Sequence, residues 1–319
     1  MDRKPQLIVV LGPTASGKSD LAVELAKKFN GEIISADSRQ VYRGMNIGTG
    51  KITEKKMRGI PHHLLDVASP KRRFTVAQYK KLADKTIKKI LAKGKIPIIC
   101  GGTGFYIQAI TENLQIPEVK PDLKLRTRLE KIATKKLYEK LQKLDPRRAK
   151  NIDRYNRRRL IRALEIIYKT GKPVPPLNKI PPNLPLKREE TPSFLKEGRG
   201  GFNTLYIGIK KSPDQLKKLI AVRLKKRLER GMIEEVKKLR RDGVSWKRLD
   251  DFGLEYRCIS RHLQNKISRE DMVTRLQKEI EHYAKRQMTW FKKYEPKTVW
   301  ISNKKEAEKL ASKFLKNSH

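Results

Sequence analysis

Thiols are scarce in this 319-residue chain: Cys100 and Cys258 are the whole supply. They lie far apart and form no CxxC pair, so a zinc centre built on thiolates is not expected, and two reduced thiols in a cytosolic protein are. Long apolar runs are missing too. No stretch of about 18 apolar residues occurs, which excludes a membrane-spanning helix of the usual kind. The opening MDRKPQLIVVL meets Gly12 and Pro13 too soon for a secretory signal, so a cytoplasmic location is expected. Acidic residues are also in short supply, 34 against 76 Lys and Arg, leaving a formal net charge of +42. Self-repulsion of that size opposes folding and calls for a polyanionic partner. Nucleic acid leads, because neutralised phosphates release counterions. A proteome-wide drift toward lysine would give the same excess without altering its electrostatic consequence. His62-His63 lacks a third ligand at a sensible spacing, so no metal site is read there.

What is present alternates. QLIVVL (6–11) reads as a buried strand, followed by a glycine-bearing loop and a helix from Lys18 to about Phe29. EIISA (32–36) reads as a second strand ending at Asp37, HLLDV (63–67) as a possible third, and Phe74 to about Ala92 as an amphipathic helix. KIPIIC (95–100) is a strand running into Gly101, Gly102, Thr103 and Gly104. This alternation predicts a parallel sheet with helices on both faces, and ligands on such sheets sit at the carboxyl ends of the strands. From about Asp122 to Lys169 the pattern is helical and basic, with 18 Lys/Arg against 7 Asp/Glu over residues 118–170. Pro173 to Pro192 reads as an extended linker. TLYIGI (204–209) restores a strand, and helices follow at about 213–229, 231–242 and 269–294. The expected fold is therefore α/β: a parallel core of the P-loop NTPase type from residues 1–116 and 201–319, interrupted at 117–200 by a helical insertion that ends in the Pro-rich linker.

Gly12-Pro13-Thr14-Ala15-Ser16-Gly17-Lys18-Ser19 has the spacing of a phosphate loop and stands between a strand and a helix, the context that gives the motif meaning. Backbone N–H groups and the helix N-terminus converge on phosphate oxygens there. Lys18 would neutralise oxygen charge, and Ser19 is placed to hold Mg²⁺. The motif implies a diphosphate or triphosphate without saying which. Asp37, at the end of an apolar strand, could be a metal-water ligand, a general base or a helix cap; Asp66 competes more weakly. Arg158 and Arg162 lie one helical turn apart and share a face, within a dense group that includes Arg157 and Arg159. Lys285, Arg286, Gln287, Trp290 and Phe291 mix basic and aromatic residues, a plausible nucleic-acid surface if the aromatics are not core.

The segment ISADSRQVYRGMNIGTGK (34–51), set between GPTASGKS and CGGTGFY, resembles the tRNA dimethylallyltransferase family. RRRLIRALEI (157–166), the helix around Arg223, GLEYR (253–257) and AKRQMTWFKK (284–293) are similar to it as well, so the resemblance spans almost the whole chain. Asn46 and Gly50 depart from the commoner Asp and Ala. The resemblance implies transfer of a dimethylallyl group from its diphosphate to N6 of the adenosine 3′ of the anticodon, with Mg²⁺ as cofactor and a monomer acting on tRNA. It implies that Thr14 to Ser19 hold the diphosphate, that Thr14, Lys18 and Arg223 assist its departure, and that Asp37 is the base. It further implies tRNA contacts from Asp37, Ser38, Arg39, Gln40, Thr103, Arg126, Arg158, Arg159, Leu160, Ile161 and Arg162. The C-terminal group Lys285, Arg286, Gln287 and Trp290 joins that expected surface. The competing readings are a small-molecule P-loop kinase, an RNA-binding NTPase and a transferase acting on free adenine nucleotide.

Overall fold

The structure is a computed structural model that describes residues 4–117, 119–175 and 201–316. Most of the Pro-rich stretch, residues 176–200, lies outside the described residues. In chain order the elements are β1 (Gln6–Leu11), α1 (Lys18–Lys28), β2 (Gly31–Ala36), α2 (Glu54–Met57), β3 (His62–His63), α3 (Val76–Ala92), β4 (Ile96–Gly101) and α4 (Gly104–Thr111). Four helices follow, α5 (Leu123–Glu130), α6 (Thr134–Leu144), α7 (Pro146–Lys150) and α8 (Arg157–Thr170). The chain then gives β5 (Asn203–Ile209), α9 (Pro213–Glu229), α10 (Met232–Arg241), α11 (Trp246–Phe252), α12 (Leu254–Leu263), α13 (Arg269–Tyr294), β6 (Val299–Ile301) and α14 (Lys304–Lys316). By contact it divides into two compact units, Met1–Asn113 with Leu186–His319, and Leu114–Pro185.

The first unit is built on a six-stranded sheet of order β3-β2-β4-β1-β5-β6, parallel throughout. Strands buried on both faces read as near-continuous apolar runs, and alternate residues of β1 separate cleanly. Leu7, Val9 and Leu11 join the core beneath α3, α4 and the helices α9 to α13. Ile8 and Val10 join a second core with α1 and α14. Local signals start the long helices: Thr75 and Gln78 form a capping box on α3, and Ser212 and Gln215 form another on α9, with Pro213 in its first turn. Because all strands run the same way, the turns after β1, β2 and β4 emerge on one edge. Those turns hold the phosphate loop, Asp37 and Gly101–Gly104.

Among the described residues, the regular elements of the second unit are the helices α5 to α8. Leu137, Leu141, Leu160, Ile161, Leu164, Ile166 and Ile167 from α6 and α8 form its core. Asn156 caps α8, accepting from the backbone N–H of Arg159, and Gly171 ends that helix.

The strand expected over 63–67 is a correction. β3 stops at His63, because Leu64 and Asp66 take positive φ of 63° and 56°, incompatible with extended pairing. Asp66 N instead donates to the Gln40 carbonyl at 3.2 Å, folding this stretch back on the turn after Asp37.

One buried carboxyl of the first unit carries a pH dependence. Glu295, at the end of α13, is 5% exposed and its Oε1 has no hydrogen-bond partner. Burial and then Glu112 push it up to about 7, against a hydrogen bond with Tyr206. A carboxyl raised in the folded state takes up a proton on folding, so stability falls as pH rises from about 4.5 through about 7 and the penalty is complete above that. Glu295→Gln is therefore expected to stabilise the fold at pH 8 by up to about 3 kcal/mol and to do little at pH 4. Parallel melting curves for the two proteins across that range would contradict this.

Candidate active site

The loop Gly12–Ser19 joins β1 to α1, with Gly12, Ala15 and Gly17 all at positive φ. Its Thr14 N–H donates to Gln287 Oε1 at 2.9 Å, and the same amide's Nε2 donates to the Gly102 carbonyl at 2.8 Å. One buried side chain from α13 thus ties the phosphate loop to the turn after β4. That turn in turn meets the end of β2. A Cβ on Gly101 would lie 2.2 Å from the Ala36 carbonyl oxygen, so only glycine permits this approach. It lets Thr103 N donate to Ala36 O at 3.0 Å and Ser38 N donate to Thr103 Oγ1 at 3.0 Å. Asp37 is held by its own turn: Oδ1 accepts from Arg39 N at 2.8 Å and Gln40 N at 3.3 Å. Arg39 Nε donates to the Phe252 carbonyl at 2.9 Å.

A cleft of about 860 Å³ opens over these turns, and Thr14, Lys18, Ser19, Asp37, Gln40, Arg223, Tyr283 and Gln287 all line it. Its cations are costly where they stand. Burial lowers the Lys18 ammonium, and Arg223 adds to this, while Cys100 and Asp37 oppose it. Burial likewise lowers Arg223, with Arg227 adding, against Glu255, Asp37 and Asp20. Arg223 Nη1 reaches Thr14 Oγ1 at 3.4 Å and Nη2 reaches the Gly50 carbonyl at 3.3 Å. An anion entering between these groups would recover solvation that they have lost. Ser16 Oγ is also buried in the loop without a hydrogen-bond partner. Burial pushes the Cys100 thiol beneath the loop up to about 11, which keeps it from acting as a nucleophile near neutral pH.

The donor set bears on a metal. Among the described residues there is no group of three His, Cys, Asp or Glu able to hold one. The Ser19 hydroxyl and the Asp20 carboxylate do line the cleft. Hard oxygen donors so few in number fit a cation carried largely by phosphate oxygens and water rather than by a protein cage.

The expected tRNA contacts divide. Arg158 and Arg159 are exposed in the first turn of α8, and Lys285 and Arg286 are exposed on α13. Leu160 and Ile161 are corrected: both are core residues of the helical unit, 0% and 6% exposed. Gln287 is corrected as well, being 6% exposed with its amide spent on Thr14 and Gly102. Trp290 packs on Gly104, where a Cβ would meet its ring at 2.1 Å, and lies 4.9 Å from the Tyr294 ring. Arg126 and Arg162 both turn to Glu165, at 2.7 and 2.5 Å, so one of their two charges is already offset inside the unit.

A family model described as IPP transferase matches residues 40–294. The chain belongs to the IPP transferase family. The tRNA dimethylallyltransferase 1 of Syntrophus aciditrophicus is 40% identical over 301 residues, 92% of this chain and 93% of that protein. The tRNA dimethylallyltransferase of Acetivibrio thermocellus is 40% identical over 315 residues, 98% and 95% of the two chains. Among solved structures, the full-length tRNA isopentenylpyrophosphate transferase of Bacillus halodurans is similar with a TM-score of 0.71 and 33% identity, over 99% of this chain and 98% of that one. A eukaryotic dimethylallyltransferase acting on tRNA is similar with a TM-score of 0.76 and 29% identity, over 97% and 77%.

Within this IPP transferase, several cleft residues escaped the reading of the sequence. Tyr283 lines the cleft from α13, and burial, then the nearby Asp37 carboxylate, push its phenol above the usual range. Lys51 is almost fully buried and donates to Asn46 Oδ1 at 2.8 Å and Asp66 Oδ1 at 2.6 Å. Gln287 was named from the sequence, but as a tRNA contact; its place on α13 shows that it has an internal partner. The buried stripe of α13 runs Met272, Leu276, Ile280, Ala284, Gln287, Phe291, and a polar residue in such a stripe has an internal partner.

Proposed function

We propose that this enzyme transfers the dimethylallyl group of dimethylallyl diphosphate to N6 of the adenosine 3′ of the anticodon in tRNA, releasing diphosphate. The observation that carries the reading is one cleft that joins half-buried cations at a phosphate loop to a fixed carboxylate. The adenine amine is a poor nucleophile, because its lone pair is delocalised into the ring. Asp37 accepts the N6 proton as the new C–N bond forms, a contribution of roughly 10²–10⁴-fold for a positioned base. The allylic C–O bond breaks on the other side, and negative charge gathers on the departing diphosphate. Loop N–H groups, Lys18, Thr14 and Arg223 meet that charge where it develops. Mg²⁺, held by Ser19 together with diphosphate oxygens and water, would neutralise part of the same charge.

The acceptor base has to leave the anticodon-loop stack to enter the cleft, at a cost of a few kcal/mol. Gln40 lines the cleft beside Asp37, and Ser38, Arg39 and Thr103 belong to the turns that hold Asp37 in place. Exposed cations, Arg158 and Arg159 in the helical unit and Lys285 and Arg286 in the first unit, bind the phosphate backbone and offset that cost. Steep salt dependence follows. With four phosphate contacts, tRNA affinity is expected to fall by roughly 10²-fold between 50 and 200 mM salt, and a flat response would contradict the electrostatic account. The proposal places the enzyme in the cytoplasm as a monomer. Its direct test is incubation with labelled dimethylallyl diphosphate and unmodified tRNA, followed by nucleoside analysis. Label on adenosine and release of inorganic diphosphate support it. Phosphoryl transfer from ATP with no labelled adenosine would favour a kinase instead.

A further inference from the structure

The turn at residues 46–50 is gripped by one carboxylate. Asn46 N and Ile47 N donate to Glu235 Oε2 at 2.8 and 2.6 Å, and Gly48 N donates to Oε1 at 2.9 Å. Tyr256 OH adds a fourth donor, to Oε1 at 2.9 Å. Glu235 forms no salt bridge among the described residues; Arg227, its basic neighbour on α9, pairs with Glu255 at 3.0 Å and donates to the Ile47 carbonyl at 2.6 Å. Only an ionised carboxylate, which accepts at both oxygens, can serve four donors at once.

The gripped turn is stiff, and it ends beside the catalytic cation. Gly50 N donates to Ile47 O at 3.0 Å, and Lys51 N donates to Asn46 O at 2.9 Å. The Gly50 carbonyl then accepts from Arg223 Nη2 at 3.3 Å, while Nη1 of the same guanidinium faces Thr14 Oγ1 at 3.4 Å. The fit is close. Gly50 sits at φ +61°, and a Cβ there would come within 1.9 Å of Arg223 Nη2. A displacement of the turn therefore displaces the guanidinium.

We propose that Glu235 is a positioning residue for the diphosphate: by pinning the 46–50 turn it sets the Gly50 carbonyl, and so aims Arg223 at the phosphate loop. The proposal rests on the cleft being the diphosphate site. Glu235→Gln leaves a shape of nearly equal size but turns an NH₂ group toward N–H donors. It is expected to weaken binding of inorganic diphosphate by at least about tenfold, since small misplacements of a charge clamp are costly. The KM for dimethylallyl diphosphate should rise in step, while the KM for tRNA stays unchanged.

The test measures inorganic diphosphate binding by calorimetry on the full chain, with melting curves and both KM values, for the parent, Glu235→Gln and Tyr256→Phe. Tyr256→Phe removes a single donor and should give a smaller effect in the same direction, about threefold. It keeps the proposal falsifiable if Glu235→Gln fails to fold. Unchanged diphosphate affinity in the variants overturns the proposal, and so does an equal loss toward diphosphate and tRNA together. A parent protein that does not bind diphosphate overturns the cleft's assignment and this link with it.

Discussion

Asp37→Ala is expected to slow dimethylallyl transfer by roughly 10²–10⁴-fold, the range for loss of a positioned general base, while tRNA affinity changes by less than about 1.4 kcal/mol, tenfold. The separation follows from the geometry. Asp37 lies at the carboxyl end of β2 within the cleft, and its Oδ1 is already used by the backbone of Arg39 and Gln40. The second oxygen is the one available to a substrate proton. A carboxylate among Lys18, Arg223 and a polyanionic substrate contributes nothing attractive toward phosphates, so its loss should not weaken tRNA binding. Asp37→Asn sharpens the test. It keeps an oxygen for the two backbone N–H groups and removes only the proton acceptor, so it should be as slow as alanine. Single-turnover rates with saturating tRNA decide the matter, and a near-normal rate in Asp37→Asn would move the base elsewhere. Loss of tRNA binding in step with rate would instead make Asp37 a structural clamp for the turn.

The residues legible beforehand share one property: they sit at ends of strands, where local pattern alone sets position. QLIVVL followed by glycines specifies the phosphate loop, and EIISA places Asp37, because a parallel strand sends its carboxyl end to the ligand edge whatever surrounds it. Arg223 was reachable through the family resemblance, since nothing in the run of α9 separates it from Lys225, Lys226 or Arg227. Which partners the connecting side chains take was not legible, although Gln287 itself was named as a tRNA contact. Gln287 and Glu235 act across 273 and 187 to 189 residues of sequence respectively, and no local period reports such a distance. The resemblance marked the α8 segment for tRNA without saying which face is wet. Leu160 and Ile161 fall on the apolar side and fill the core, whereas Arg158 and Arg159 precede them on the exposed side.

Elements were missed for different reasons. HLLDV has strand composition, but a side chain's preference for extended backbone does not prevent a turn when Lys51 and the Gln40 carbonyl hold Asp66 in place. α11 and α12 abut at Gly253, whose φ of 74° breaks one helix and starts the next. Short helices joined this way leave too little of a 3.6-residue period to read. α14 does carry the period, at Ala307, Leu310, Ala311 and Phe314. Two of those four are alanines among lysines, a stripe too faint to stand out before the second core was known to need a cover.

The helical unit offers the other large effect. Glu165 is fully buried on α8, between apolar neighbours, and accepts from Asp122 N at 2.7 Å and from Arg126 Nε and Nη2 at 2.8 and 2.7 Å, with Arg162 Nη1 at 2.5 Å. Burial alone would push its carboxyl up, but Arg126, Asp122 N–H and Arg162 together hold it at about 2. One carboxylate thus anchors the start of α5 to α8 and is shared by two guanidinium groups, offsetting one of their two charges. Glu165→Ala removes the carboxylate from two partly exposed guanidinium groups and opens a cavity beneath them, a loss of about 3 kcal/mol, the low end for breaking a buried pair. Because the folded value is depressed, the contribution is complete above about pH 4.5 and fades as pH falls toward about 2. The variant should therefore melt lower at neutral pH, and the gap should narrow in acid to what the cavity alone costs. Hydrogen exchange locates the effect: amides of α5 to α8 should lose protection while β1, β4 and β5 keep theirs. Diphosphate binding should survive, since every group assigned to it lies in the other unit, while tRNA affinity should drop. Equal loss of protection across the sheet would mean that the two units unfold as one.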